Sequence, residues 1–291
     1  MASLSYAVVT PVRDEAANLD RLGACLAAQA VTPTAWVIVD TGSSDATLDV
    51  AQELEDALPW ASTAGIAENG GHVRGGPIVR AFQAGIESLD PRADLVAKVD
   101  ADVSFEGDYF ARLVQAFTDN ASLGIASGTC YEEEAGAWRP RYGTGLSVWG
   151  AARVYRAACL EDVLPLEERI GWDGIDVLRA HAGGWETRII EDLPFRHHRP
   201  EGIRDGARHR AWAAQGSAAY YMGYRPSYLL ARTVHRALRE PAALAMLTAF
   251  AAAGLRREPR CADRAVRTSL REQQRLRHLP LRLREARGRA A

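Results

Sequence analysis

The sequence predicts an α/β protein in which a mostly parallel sheet is flanked by helices and followed by a helical C-terminal extension. In the first half of the chain, short apolar runs typical of buried strands alternate with segments of helical periodicity. Polar residues suited to ligand binding follow these runs, as they do at the carboxyl ends of parallel strands. Beyond residue 200 the strand-like runs stop, and the chain becomes helical and rich in arginine.

The first elements alternate strand and helix. We predict a buried strand at 6–11, a helix at 18–29 with three leucines on one face, and a second strand at 35–40. The sequence TGSS at 41–44 supplies turn and N-cap residues, so we place the next helix at about 45–58. These segments make two βα units of a parallel sheet.

The same alternation continues through the middle of the chain. The glycine-rich stretch NGGHVRGGP leads into a third helix, because Pro77 suits the first helical position. A strand at 95–99 ends at the sequence DAD, and a helix near 109–117 and a strand at 123–129 follow. Asp100 and Asp102 therefore lie at the carboxyl end of a strand, where parallel sheets bind their ligands.

After residue 129 the pattern loosens. We predict a loop at 130–145, a strand at 146–155, and a helix within GWDGIDVLRAHAGGW at 171–185. The apolar segment 242–255 is shorter than the roughly 20 residues that span a bilayer. The segment 263–279 predicts a basic amphipathic helix of the kind that lies on a membrane surface, a partner or its own domain.

Charge divides the chain into two predicted domains, a catalytic α/β domain at 1–202 and a basic helical region at 203–291. The first contains 16 basic and 31 acidic residues, and the second contains 19 basic and 6 acidic residues. This asymmetry predicts an acidic body with a basic appendage that meets an anionic partner. Basic helices that simply pack on the acidic body would explain the same charges.

Cysteine usage and the N-terminus predict the compartment. The four cysteines have no paired spacing, which argues against a disulfide framework or a zinc site and fits a reducing compartment. The chain begins with a strand-like run, without a basic stretch before an apolar core, so no signal peptide is predicted. We expect a cytoplasmic protein.

Asp100 and Asp102 need an explanation, because aspartate is depleted in strands and expensive to bury unpaired. Carboxylates at a strand end can bind Mg²⁺ or Mn²⁺ together with substrate phosphates. A solvated turn is the simpler alternative. A haloacid-dehalogenase-like phosphatase would use the first aspartate as its nucleophile, but it needs a downstream lysine, and Lys98 is the only lysine in the chain.

Three ordered motifs explain more residues than either alternative. The stretches VVTPVRDEAANLDRLGACLAAQ, WVIVDTGSSDAT and KVDADV together resemble the nucleotide-sugar-binding half of glycosyltransferase family 2, which has the Rossmann-like A-type fold. The resemblance covers about the first 105 residues and departs from the family's second motif at Thr41. It implies a nucleotide-sugar site made by Thr10, Pro11, Glu15, Asp40, Arg74, Asp100 and Asp102.

The segment IGWDGIDVLRAHAGGWETRII resembles the part of the family that carries the general base. Trp172 replaces the family's usual glutamate, but Asp173 remains, and the resemblance implies that Asp173 is the base. An N-cap of a helix is the simpler role for Asp173.

The resemblance also implies a metal contact for a histidine after this segment. His197 and His198 are the candidates, and we favour His198 beside Asp102 as a metal ligand. Tryptophans on the predicted acceptor side can stack on a sugar or fill the core, and we favour Trp172 and Trp149 for acceptor contact.

The implied activity is an inverting sugar transfer that depends on Mn²⁺ or Mg²⁺. The donor would be a nucleotide-diphosphate sugar, most often a UDP-sugar, and the acceptor a glycan, a lipid-linked sugar or a small molecule. The C-terminal helices would meet an anionic membrane on the inner face of the cell membrane, form a homodimer, or pack on the catalytic domain.

Two further alternatives explain fewer residues. A nucleic-acid-binding module would use the C-terminal arginines, but it leaves the aspartates unexplained, and the acidic body would repel phosphates. A dinucleotide-dependent oxidoreductase needs GxGxxG directly after the first strand, where this chain has PVRD.

Overall fold

The computed structural model describes residues 4–66, 75–142, 147–199, 208–238 and 240–285. Within these residues the chain forms one nine-stranded sheet flanked by helices. The strands are β1 Tyr6–Val12, β2 Ala35–Asp40, β3 Ala61–Gly65, β4 Leu95–Val99, β5 Val103–Phe105, β6 Leu123–Glu134, β7 Ala137–Pro140, β8 Ala152–Arg156 and β9 Glu186–His197. The helices are α1 Ala16–Ala27, α2 Thr47–Ala57, α3 Gly76–Glu87, α4 Tyr109–Asp119, α5 Ala157–Val163, α6 Trp172–Ala182, α7 Arg208–Met222, α8 Pro226–Ala237, α9 Ala245–Leu255, α10 Arg264–Gln273 and α11 Leu279–Glu285.

The sheet has the order β3-β2-β1-β4-β8-β6-β9-β5, and β7 pairs with β6. Strands β3, β2, β1 and β4 are parallel neighbours, and β6 and β9 also pair in parallel. Strand β8 is antiparallel to both β4 and β6, so it joins two groups of strands that run in the same direction. The predicted α/β fold with a mostly parallel sheet is confirmed.

Alternation along β1 builds a core on each face of the sheet. Tyr6, Val8 and Val12 join one hydrophobic cluster with α1 and α4, whereas Ala7 and Val9 join a second cluster with α3. Successive strand residues point to opposite faces, so a central strand covered on both sides is apolar at nearly every position. This is why β1, β2 and β4 were recognisable as buried runs.

The predicted loop at 130–145 and strand at 146–155 are corrected by the structure. Strand β6 continues to Glu134 and turns into β7, with Ala135 at φ 52° and Gly136 at φ 78°. Two residues with positive φ make the tight turn that suits a hairpin. Alanine rarely adopts this conformation, so no residue type at this position indicated the turn. Strand β8 begins only at Ala152.

The helices after residue 207 pack on each other and on α6. Ala219, Leu229 and Met246 form one cluster among α7, α8 and α9. Ile175 and Leu178 of α6 pack with Val266, Leu270 and Met222 in another. The C-terminal helices therefore cover the helix that carries Asp173, while the predicted boundary between residues 202 and 203 stays a prediction. No helix in the described part of the chain is both long enough and apolar enough to cross a membrane.

Candidate active site

The predicted site residues follow three neighbouring parallel strands. Strands β2, β1 and β4 lie side by side, and β1 and β2 are in register from Ala7 with Ala35 to Val12 with Asp40. Because parallel strands end at one edge of the sheet, the loops after Val12, Asp40 and Val99 meet there. This edge is the candidate active site.

Two predicted nucleotide contacts are held inside the protein. The Thr10 side chain is fully buried, and its hydroxyl accepts a hydrogen bond from Trp36 Nε1 at 2.9 Å. The Asp40 carboxylate accepts hydrogen bonds from Gly42 N at 2.9 Å and from the Ser43 hydroxyl at 2.5 Å, so it holds the turn after β2. Because the Thr10 side chain is buried and already hydrogen-bonded, its placement does not favour a direct contact of this side chain with a nucleotide. Pro11 is half-buried on the same strand, and Arg74 lies outside the described residues.

Asp100 is paired with the only lysine of the chain. Lys98 Nζ donates to Asp100 Oδ1 and, at 3.0 Å, to the carbonyl of Gly150. The ammonium group is almost fully buried, with 2% of the side chain exposed. Burial raises the pKa of Asp100, and Lys98 opposes that shift by favouring the carboxylate. The pair joins the loop after β4 to the loop before β8.

Asp102 lies between two cationic side chains. His197 Nε2 is 3.4 Å from Asp102 Oδ1, and Arg199 Nε is 3.9 Å from Oδ2. Burial alone would raise the pKa of Asp102, but the hydrogen bond and charge of His197 outweigh it and lower that pKa. The imidazole also lies 3.4 Å from Glu132 Oε1. Burial would lower the pKa of His197, but Asp102, Cys130 and Glu132 together raise it to about 12.

The two adjacent histidines point in different directions, as consecutive residues at a strand end do. His197 faces the Asp102 carboxylate, whereas His198 Nε2 lies 2.7 Å from the Ser104 hydroxyl and its ring packs edge-on against Trp138. Burial lowers the pKa of His198. The predicted metal contact of His198 stays a prediction, and the geometry favours His197 for it.

Glu15 forms an ion pair across the edge of the site. Its carboxylate accepts two hydrogen bonds from Arg199, at 2.8 and 2.5 Å, and one from Asn18 at 2.6 Å. Two parallel hydrogen bonds from an arginine are the strong form of this interaction. The pair fixes the loop after β1 to the chain just beyond β9, next to Asp102.

Asp173 is the second residue of α6 and is not its N-cap. Gly171 occupies the N-cap position with φ 89°, a left-handed conformation that favours glycine. Asp173 lies in the first turn, where the helix N-terminus attracts a carboxylate. Among the described residues none donates a hydrogen bond to this carboxylate, which leaves it able to accept one from a substrate. A Cβ built on Gly150 would lie 3.4 Å from Asp173 Oδ2, so the loop before β8 flanks this group.

The two tryptophans predicted for acceptor contact differ in burial. Trp172 is only 8% exposed and belongs to the core cluster with α3. Its ring lies 5.6 Å from Lys98 Nζ and 5.4 Å from the Arg153 guanidinium, so cation–π contacts hold it from within the protein. Trp149 is half-buried, and its backbone N–H donates to Ser127 Oγ at 3.2 Å. Trp172 thus packs beneath Asp173, and acceptor contact by either tryptophan stays a prediction.

A buried ion pair beside Asp173 was not predicted. Arg153 and Asp176 are both fully buried and bind each other, and Tyr155 donates to Asp176 Oδ2 at 2.5 Å. Arg153 also donates to the carbonyls of Val148 at 2.5 Å and Asp173 at 2.9 Å. In the sequence, an arginine at position 153 of a short strand looks like an outward-facing residue of an alternating pattern. Only the pairing of β8 with β4 and β6 places it inside.

The donor atoms around Asp102 fit a divalent cation. Carboxylate oxygens and an imidazole nitrogen are ligands that Mn²⁺ accepts, and Mg²⁺ accepts the oxygens. Asp102 and one histidine of the adjacent pair would hold the ion, with Asp100 and Glu132 adding negative charge nearby. Cys130, Glu132 and His197 also place one ligand atom each within 4.8 Å of one another.

The chain is similar in sequence to one described family. A family model for glycosyl transferase family 2 matches residues 7–165, which include the loop after β1, Asp40 and the Asp100–Asp102 pair. No curated protein sequence matches the chain.

Solved glycosyltransferases share its fold. The mannosyltransferase PcManGT from Pyrobaculum calidifontis, in complex with GDP-Man and Mn²⁺, is 16% identical over 89% of both chains, with a TM-score of 0.61. S. aureus TarS 1–349 in complex with UDP-GlcNAc is 18% identical over 73% of this chain and 65% of that chain, with a TM-score of 0.54. GalNAc-T7 with UDP, GalNAc and Mn²⁺ is 13% identical over 68% of this chain and 45% of that chain, with a TM-score of 0.54. At these identities the likeness establishes the A-type fold.

Proposed function

This chain belongs to glycosyl transferase family 2 and is a glycosyltransferase, and from that membership we propose that it moves a sugar from a nucleotide-diphosphate donor to an acceptor hydroxyl with inversion at the anomeric carbon. The family match is a stronger argument than a lone pair of aspartates. It removes the phosphatase as a competing explanation of Asp100 and Asp102, and it argues against a nucleic-acid-binding module, which left both aspartates unexplained.

One observation carries the proposal. The carboxylate of Asp173, which accepts no hydrogen bond from the described residues, flanks Gly150, and Gly150 is tied through Lys98 to Asp100 at the end of β4. The aspartates that we assign to the donor and the carboxylate that we assign as general base are thus connected through Lys98. An inverting transfer needs these two groups on opposite sides of a reacting carbon.

The donor half of the site is made by the loops after β1, β2 and β4. We propose that Asp100 and Asp102 bind the ribose and the diphosphate of the donor. We propose that the nucleobase lies at the edge of the sheet near Pro11 and the turn held by Asp40. Glu15 acts through Arg199, which it holds beside Asp102. An arginine in that position can also bind phosphate oxygens, because its planar group matches them.

A divalent metal, Mn²⁺ or Mg²⁺, bound by Asp102 would neutralise the negative charge of the leaving nucleoside diphosphate. The PcManGT and GalNAc-T7 structures contain Mn²⁺, which supports the choice of ion. Beside the same position the chain itself contributes the positive charge of Arg199.

Asp173 completes the reaction on the acceptor side. The acceptor oxygen attacks the anomeric carbon, the bond from that carbon to the diphosphate oxygen breaks, and the hydroxyl proton passes to an Asp173 oxygen. The hydrogen bond from Arg153 to the Asp173 carbonyl holds the backbone that carries this carboxylate, at the N-terminus of α6. Such proton transfer contributes about 10²–10⁴ to a rate.

For the donor we propose a UDP-sugar first and a GDP-sugar second. The structural neighbours contain UDP-GlcNAc, UDP and GDP-Man, which supports a nucleotide diphosphate without choosing between the bases. The acceptor would be a glycan, a lipid-linked sugar or a small molecule.

We also propose a cytoplasmic protein whose C-terminal region, residues 203–291, meets an anionic membrane surface. All four cysteines are free, as a reducing compartment requires. Leu230 and Val234 on α8 and Leu238 directly after it are exposed at four-residue spacing, and this set of three is named the α8 stripe. An apolar stripe in a region of strong positive charge suits the interface of an anionic bilayer.

The decisive experiment measures donor hydrolysis and transfer with a panel of UDP-, GDP- and TDP-sugars and simple sugar acceptors, with Mn²⁺ or EDTA. We expect slow hydrolysis of one donor class, which needs the metal and is abolished in Asp102→Asn. Product anomeric configuration by NMR tests inversion. If no nucleotide sugar is bound or consumed under any metal condition, the proposal is wrong.

A further inference from the structure

Lys98 is a buried cation to which the proposed mechanism assigns no chemical step. It is the only lysine among 35 basic residues, and its side chain is 2% exposed on the central strand β4. An ammonium ion in the interior is costly unless it is paired and hydrogen-bonded. Its position therefore requires partners, and the structure gives three.

The partners of Lys98 belong to three different parts of the site. Lys98 Nζ binds the Asp100 carboxylate in the loop after β4 and the Gly150 carbonyl in the loop before β8. It also lies 5.6 Å from the ring centre of Trp172, the first residue of α6. These are the donor side, the acceptor-side loop and the helix that carries Asp173.

Three consecutive residues of the loop before β8, from Val148 to Gly150, are each held by a hydrogen bond. Arg153 binds the carbonyl of Val148 at 2.5 Å, Ser127 accepts from the N–H of Trp149 at 3.2 Å, and Lys98 binds the carbonyl of Gly150 at 3.0 Å. The contact of Lys98 is the one that also reaches a donor-side carboxylate. Gly150 in turn flanks the Asp173 carboxylate.

We propose that Lys98 is a positioning residue that ties the donor-binding carboxylate Asp100 to the loop flanking Asp173, and so sets the spacing between donor and general base. The proposal rests on the proposed function, because it assigns Asp100 and Asp173 to the two sides of the reaction. Lys98 itself touches neither substrate nor the reacting atoms in this arrangement.

The first test is kinetic. Lys98→Met keeps the length of the side chain and removes its charge and hydrogen bonds. We expect an increase in the donor KM, because Asp100 loses its partner, and a decrease in kcat, because Gly150 is released, each of about tenfold. In Asp100→Asn the additional Lys98→Met change should leave the donor KM nearly unchanged while still lowering kcat. Arg112→Met, which breaks a surface ion pair with Asp192, is the matched control and should change neither value.

The second test uses the single lysine as a probe. In wild-type protein labelled with ¹³Cε-lysine, one lysine signal is expected from the whole chain. It should shift when a nucleoside diphosphate is added with Mg²⁺, which is diamagnetic, and it should shift in Gly150→Ala without nucleotide. Gly150→Ala should lower kcat and spare the donor KM.

The outcomes separate the two proposals. If wild type turns over no nucleotide sugar, the proposed function fails, and the lysine signal alone decides whether Lys98 joins the two loops. If Lys98→Met does not fold, the lysine signals of labelled wild type and of Gly150→Ala still test whether Lys98 joins the two loops. A folded Lys98→Met with wild-type kcat and KM, or a lysine signal that nucleotide and Gly150→Ala both leave in place, would overturn the role of Lys98.

Discussion

Arg199 binds Glu15 through two hydrogen bonds, of 2.8 and 2.5 Å, and so joins two residues that are 184 positions apart in the chain. Glu15 begins the turn into α1, and Arg199 follows the end of β9. The guanidinium also lies 3.9 Å from Asp102. One ion pair therefore fixes two loops on either side of the carboxylate that we assign to the metal and diphosphate.

Arg199→Ala should weaken nucleotide-diphosphate binding about tenfold, because it removes a cation beside the diphosphate and leaves Glu15 buried without it. Arg199→Lys should recover only part of the affinity, since lysine cannot form two parallel hydrogen bonds. Isothermal titration calorimetry with Mn²⁺ present measures both. Arg196→Ala is the control, because Arg196 lies three residues earlier, on β9, with a half-exposed side chain and a 3.8 Å contact to Glu106. Equal affinities of wild type and Arg199→Ala would exclude this role.

Asp102→Asn should abolish the metal dependence of nucleotide binding. An amide keeps the shape of the side chain but loses the charge that a divalent ion requires. Thermal unfolding with UDP, GDP or TDP should show a rise that needs Mn²⁺ in wild type and is absent in the variant. Asp192→Asn, on an exposed carboxylate bound to Arg112, should behave as wild type. A metal-dependent rise that survives in Asp102→Asn would place the metal elsewhere.

Asp173→Asn should lower kcat by about 10²–10⁴ and leave the affinity for the donor unchanged. The asparagine has the same shape but cannot take the acceptor proton. Transfer rates and calorimetric donor binding, measured on the same preparation, separate the two effects. Asp162→Asn, which affects a carboxylate that accepts from Trp185 outside the site, is the control. Normal turnover in Asp173→Asn would remove this residue from the role of base.

The strands that were predicted well are those covered by helices on both faces of the sheet, because burial on both faces makes nearly every residue of such a strand apolar. Strand β2 has the bounds that were predicted for it, and Asp100 lies directly after β4. Strand β9 was missed because most of its residues are exposed or half-buried, without a clean alternation, and its pairing with β6 shifts register between Gly128 and Thr129. Such a strand is defined by its neighbour and not by its own pattern.

The sequence indicated the site residues that lie within recognisable motifs. It did not indicate the residues that only the folded chain brings to the site. Asp102 and Asp173 stand in recognisable stretches, so the sequence indicated them. The glycine at the N-cap of α6, Gly171, decides that Asp173 is not a cap, and only the backbone conformation shows this. Arg153 reaches Asp176 from a different element, 23 residues earlier, which no local pattern encodes.

Removing one partner of the buried pair of Arg153 and Asp176 should destabilise the protein strongly, whereas removing both should cost less. Arg153→Met would leave the Asp176 carboxylate buried without its cation, and we expect a loss of about 3–5 kcal/mol in the free energy of unfolding. Asp176→Leu combined with Arg153→Met should recover part of this, because no charge is left inside. Urea unfolding followed by fluorescence measures these values. Arg112→Met breaks an exposed ion pair and should cost less than about 1 kcal/mol. A variant Arg153→Met as stable as wild type would show that the pair contributes nothing.

The α8 stripe should govern binding to anionic vesicles. Leu230, Val234 and Leu238 are each at least half exposed, and the region from residue 203 onward contains 19 basic and 6 acidic residues. Replacing all three by serine removes the apolar contact and keeps every charge, so affinity for vesicles with one third anionic lipid should fall at least about tenfold. Cosedimentation measures it, and binding of the wild type should weaken with salt, because the charges of the lipid surface are screened.

The control for this substitution replaces exposed apolar residues of the acidic domain. Leu48→Ser with Ile78→Ser changes side chains of similar exposure on α2 and α3 and should leave vesicle binding as in wild type. Analytical ultracentrifugation separates the competing use of the same surface. A dimer that dissociates in the triple serine variant, without any vesicle binding by wild type, would assign the α8 stripe to a second copy of the chain. Vesicle binding that the triple variant retains in full would mean that charge alone attracts the membrane and that the stripe takes no part.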